Sequence, residues 1–100
     1  MTNTYNISVL NRSGSGSSGS TQEYTISYPD GASTGTKTFK VDINDSKLKT
    51  FDLAATQVPF EIKLNPGGNP HAAFTLGVNG AGRTANVTSQ ENGTFAVAIV

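Results

Sequence analysis

Most of the large apolar side chains in this chain fall in short runs where every second residue is hydrophobic. Tyr5-Ile7-Val9, Tyr24-Ile26-Tyr28, Phe39-Val41-Ile43, Phe60-Ile62-Leu64, Ala72-Phe74-Leu76-Val78 and Phe95-Val97-Ile99 all follow this rule. A period of two gathers each set on one face of a strand and leaves polar neighbours such as Glu61 and Lys63 on the other. Almost nothing carries the 3.6-residue period of a helix. Such a chain must bury its apolar faces by stacking sheet on sheet.

The spacing predicts strands over residues 5–10, 22–28, 37–43, 48–53, 60–64, 72–78, 83–88 and 94–100. Turn chemistry separates them: Pro29-Asp30-Gly31, Asn44-Asp45-Ser46, Asn79-Gly80 and Asn92-Gly93. Proline presets one dihedral, while glycine and asparagine tolerate positive φ, so Asn-Gly between two strands reads as a hairpin. Seven or eight strands recurring every ~8–12 residues indicate an all-β fold, an antiparallel β-sandwich. Greek-key connections of the immunoglobulin-like or jelly-roll-like kind fit that spacing. Residues 1–100 read as one domain, with a flexible Ser/Gly-rich loop at 12–20. Val58-Pro59 suits a strand start or an edge. Residues 95–100, Phe-Ala-Val-Ala-Ile-Val, have no polar alternation at all. A strand that is apolar on both faces is expected in the middle of a sheet, or under a partner subunit.

Composition narrows the function. The chain has no cysteine, so apolar packing must supply its stability without disulfides, and thiol chemistry is excluded. Net charge is zero and charged residues make up 14%. A nucleic-acid binder needs a basic stripe to displace counterions. The densest basic group, Lys37, Lys40, Lys47 and Lys49, is interleaved with Asp42, Asp45 and Asp52 and reads as a solvated face of mixed charge. No run approaches the ~20 apolar residues of a membrane helix. The N-terminal residues lack the pattern of a signal peptide, which fits a cytoplasmic protein or a mature or recombinant form.

Catalysis finds little support. His71 is the single histidine, with no nucleophile elbow to serve and no second histidine to share a metal. Glu23, Glu61, Glu91 and the aspartates stand at turn or solvent positions, without an apolar pocket to raise a pKa. Asn79-Gly80-Ala81-Gly82 is followed by a strand pattern, not by the helix that a phosphate loop requires. Asn6, Asn11, Asn44, Asn86 and Asn92 begin Asn-x-Ser/Thr triplets, most of them a product of composition.

Two groups of residues remain as candidate sites. Asp42, Asn44 and Asp45 could offer oxygens to a hard cation such as calcium. With Val41 before it, Asp42-Ile43-Asn44-Asp45 resembles the Asp-x-Asn-Asp stretch of cadherin repeats over those few residues. It lies mid-chain and lacks their companion acidic motifs, so a turn closing a hairpin is the simpler reading. Tyr24 and Tyr28 share a strand face, and with Asp30 nearby they could stack on a sugar ring and bond its hydroxyls. The expectation is a non-catalytic binding module, not an enzyme, with carbohydrate as the leading ligand class in a lectin-like role and no required cofactor. The alternative is a structural or self-associating protein, a homo-oligomer that uses its apolar C-terminal strand as the interface to a protein surface.

Overall fold

The computed structural model describes residues 2–12, 21–65, 71–78, 82–90 and 94–100. The expected loop at 12–20 lies, beyond Arg12, outside the described residues, as do the Asn79-Gly80 and Asn92-Gly93 turn residues. Eight strands are present: β1 Asn3–Asn11, β2 Thr21–Asp30, β3 Ser33–Asp42, β4 Ser46–Leu53, β5 Gln57–Asn65, β6 His71–Gly77, β7 Thr84–Ser89 and β8 Phe95–Ile99. They form two four-stranded sheets, ordered β4-β1-β7-β8 and β3-β2-β5-β6. The all-β sandwich is therefore the observed class. One sheet is antiparallel throughout. The other is mixed, because β1 runs parallel to β7 from Asn6↔Thr84 to Asn11↔Ser89, so the expectation of a wholly antiparallel sandwich is corrected there.

The alternating residues meet between the sheets. Tyr5, Ile7 and Val9 of β1 and Ala85 and Val87 of β7 face Tyr24, Ile26, Phe60, Ile62 and Leu76 from the other sheet, and all are buried. Phe60 is the aromatic hub. Its ring centroid lies 5.1 Å from Phe51, 6.0 Å from Tyr28, 6.0 Å from Phe74 and 6.2 Å from Tyr5. Rings at these separations add directional attraction to the area they bury.

Two expected hairpins are not hairpins. β3 and β4 lie in different sheets, as do β6 and β7, so the Asn44-Asp45 turn and the Asn79-Gly80 stretch join strands that cross from one sheet to the other. Turn residues supply the conformation, with φ of 61° at Asn44, but do not decide which sheet the chain enters next. Asn11 secures the first of these crossings. Its main chain donates to the Asp45 carbonyl (2.9 Å) and accepts from the Asn44 amide (2.6 Å). Its buried side chain donates to the Val41 carbonyl at 2.9 Å. An asparagine can sit in this core because the polar groups around it are paired.

Pro59 falls inside β5, a central strand, not at a strand start or an edge. The β2–β5 ladder stops at Ser27↔Glu61, two residues short of where Pro29 and Pro59 would meet. Pro59 keeps its register with Thr75 of β6, and a residue without an N–H is tolerated there because pairing on the β2 side has already ceased.

Candidate functional site

The expected tyrosine platform is not formed. Tyr24 is fully buried, its ring 6.0 Å from Phe39 and 5.9 Å from Phe95. Tyr28 is half-buried and turns the same way, to within 5.1 Å of Phe51. Opposite it across the ladder is Gly35, where an added Cβ would come 2.5 Å from the Tyr28 ring. The tyrosine fills the space that glycine leaves open. The two rings share a face, as the alternation requires, but that face is the core.

Asp30 is exposed at the end of β2, beside the Gly31 turn with its φ of 62°. It lines a cleft of about 410 Å³ at that end of the sandwich, with Pro29, Leu53, Gln57 and Val58. Asn3 holds one wall, donating from Nδ2 to the Ala55 carbonyl at 3.2 Å. The Tyr5 hydroxyl donates to the same carbonyl.

Asp42, Asn44 and Asp45 stand together at the β3–β4 crossing, each engaged locally. Thr21 Oγ1 donates to Asp42 Oδ1 at 2.6 Å, and the Ser46 amide donates to Asp45 Oδ1 at 2.8 Å. The Asp45 amide closes the turn on the Asp42 carbonyl at 3.0 Å. Among the described residues no three His, Cys, Asp or Glu side chains gather as metal ligands. His71, expected in a loop, is exposed at the first position of β6.

The strands at the two sides of the sandwich differ most. On one side the edges are β3 and β4, which hold four of the five lysines, Lys37, Lys40, Lys47 and Lys49. Two of these turn inward across the gap between the sheets. Lys37 Nζ on β3 lies 4.5 Å from the centroid of Phe51 on β4 and donates to the Thr50 carbonyl at 2.6 Å. Lys49 Nζ on β4 lies 4.9 Å from the centroid of Phe39 on β3. Ammonium groups over aromatic faces are favourable, and inward-pointing charge on an edge strand opposes pairing with another chain. The sequence reading, a solvated face, missed this role. The signal was parity: Lys37 shares its face with Phe39 and Val41, and Lys49 shares its face with Phe51.

On the other side the edges are β6 and β8. The apolar C-terminal strand is thus an edge, not the central strand expected. Among the described residues, only one of its faces is covered. Phe95 and Val97 pack on the core, while Ala96 and Ala98 point out and Ile99 and Val100 are 42% and 68% exposed. No residue of 95–100 is charged.

The hydrogen-bond direction along β8 is fixed by its ends. The Val100 amide donates to the Thr84 carbonyl and the Gln90 amide to the Thr94 carbonyl, both at 2.9 Å. Bonded and non-bonded pairs alternate in an antiparallel ladder, so Ala96 and Ala98 also turn their main-chain groups to β7. Phe95, Val97 and Ile99 therefore turn theirs away from β7, to the open side. Nothing among the described residues pairs with that side of β8.

Among the described residues, the fold is a β-sandwich with one flank guarded by inward-turned lysines and one apolar flank whose β8 edge is unpaired. Comparison with protein-family models, with curated proteins and with solved structures gives no match. Among the described residues, no helix is long and apolar enough to cross a membrane.

Proposed function

We propose that this protein is a self-associating structural module that joins to its partner by strand addition at β8. The observation that carries the reading is the contrast between flanks. The β3/β4 edges carry the inward-turned Lys37 and Lys49, whereas the β8 edge presents main-chain groups that no described residue pairs, on a strand without charge. Edge strands left bare in this way template pairing, and natural sequences blunt those that must stay single. Strand addition draws its affinity from main-chain hydrogen bonds and its selectivity from alternate side chains. The partner covers what β8 exposes.

The test is the solution mass of the purified protein over a range of micromolar concentrations, by light scattering on a sizing column. The native chain is expected to run as a dimer or larger assembly. Val97→Pro deletes an amide that faces the open side and is expected to run as a folded monomer. A native chain that stays monomeric throughout overturns the reading.

A second reading keeps the carbohydrate expectation at the end cleft. A recess of about 410 Å³ is within the range of small-ligand sites, and the Asp30 carboxylate and Gln57 amide border its apolar wall. A glycan array, run with and without calcium, tests it. Saturable binding lost in Asp30→Ala supports the cleft, and a blank array removes it.

A further inference from the structure

The free edge of β8 dictates more than the presence of a partner. Its outward-facing N–H and C=O groups belong to Phe95, Val97 and Ile99; Phe95 and Val97 also pack their side chains on the core, and Ile99, on the same face of the pleat, is 42% exposed. Ala96 and Ala98 turn their side chains to the outer face of the sheet, where they continue into Thr84, Asn86 and Thr88 of β7, with no charge on either strand. A partner strand must match both features at once. It must present main-chain groups at alternate positions and bring nothing bulky or charged beside the alanines.

Resting on the self-association just proposed, we infer that the partner is a second β8 running antiparallel, with the two-fold axis passing through Val97. This register pairs Val97 with the partner's Val97, Phe95 with the partner's Ile99, and Ile99 with the partner's Phe95. All three residues with outward main-chain groups then find hydrogen-bonded partners. A shift of two residues in either direction loses one end of that ladder. A shift of one residue sets core-facing side chains beside outward-facing ones, which the pleat forbids. The same register lays Ala96 beside the partner's Ala98, small against small. The strand has no charge for a different chain to complement, and its reverse is as apolar as itself. The two β4-β1-β7-β8 sheets become one continuous sheet of eight strands, with β8 at its centre. The C-terminal strand thereby acquires the interior position that its composition implies.

The chain has no cysteine, so engineered thiols report only on this contact. In the inferred register, Ala96 and the partner's Ala98 form a non-hydrogen-bonded pair with Cα atoms about 4.5 Å apart, within disulfide reach. Ala96 and the partner's Ala96 are diagonal neighbours at about 7–8 Å, beyond easy bridging. The experiment oxidises A96C alone, A98C alone and their equimolar mixture at micromolar concentration, and follows the disulfide dimer on non-reducing gels. The mixture is expected to cross-link about tenfold faster than either variant alone, given those separations. Faster cross-linking of A96C alone, or of A98C alone, shows a register displaced by two residues and overturns the inference. Native protein that is dimeric while none of the three samples cross-links places the interface elsewhere and also overturns it. Monomeric native protein removes the self-association itself, a failure that light scattering separates from an error of register.

Discussion

Lys37 and Phe51 are joined across the guarded flank of the sandwich: the lysine ammonium on β3 lies 4.5 Å from the ring centroid on β4 while also donating to the Thr50 carbonyl. Lys49 and Phe39 make the reciprocal contact at 4.9 Å, from β4 back to β3. The lysine stems cover the aromatic rings, and their charged ends oppose a further strand. Two jobs are done by one pair of side chains.

Removing that guard should expose both jobs. Lys37→Ala is expected to cost about 0.5–2 kcal/mol in urea unfolding, the range of a cation–π contact as it becomes desolvated. A double-mutant cycle with Phe51→Leu should show coupling between the sites, and their strict additivity would dismiss the contact. The lysine variant should also scatter more light at high concentration than the native chain.

Asn11 holds the β3–β4 crossing from within the core. Asn11→Ala deletes the donor to the Val41 carbonyl and leaves that acceptor buried, so a loss of about 1–3 kcal/mol is expected. Amide exchange should accelerate most at Asn44, whose amide donates to the Asn11 carbonyl, and at residue 11 itself, whose amide donates to the Asp45 carbonyl.

Proline scanning of β8 should alternate in its effect. Ala98→Pro removes an amide aimed at β7 and should destabilise the folded monomer. Val97→Pro removes one aimed outward and should chiefly abolish assembly. Equal unfolding losses from both variants would contradict the hydrogen-bond direction described for this strand.

Gly82 lies against the last residues of the chain. An added Cβ would come 2.0 Å from the Val100 carbonyl oxygen and 3.0 Å from the Ile99 side chain. Gly82→Ala must push the end of β8 away from β7. The expected readout is rapid exchange of the Val100 amide, whose bond to Thr84 would open, together with weaker self-association.

Calcium should leave the melting temperature unchanged, because Asp42 and Asp45 already accept from Thr21 and Ser46. A calcium-dependent rise that is lost in Asp45→Ala would restore the cation reading of Asp42, Asn44 and Asp45.

The strands were legible because a period of two is written directly in residues such as Tyr5, Ile7 and Val9. The assignment of strands to sheets was not. An Asn-Asp or Asn-Gly turn has the same local chemistry whether the chain folds back beside itself or crosses the core. Tyr24 and Tyr28 were correctly placed on one face, but alternation alone does not say which face is wet. Ile26 between them was the clue that it is dry. At β8 the sequence signalled a strand in need of cover on both sides, and the described residues provide it on one side only. The candidate site was thus visible as a demand, and the fold shows which part of it goes unmet.

The parallel contact of β1 with β7 has a consequence in time. The β2–β3 pair closes through a two-residue turn and can form as soon as it is made, whereas Asn6 must wait for Thr84. Because β1 lies between β4 and β7, its sheet is completed only when nearly the whole chain is present. Long-range pairing of this kind is slow to nucleate. Of the eight strands, β1 is made first and can pair with β4 midway, yet its second neighbour comes only with β7, and β8 docks on that same late strand.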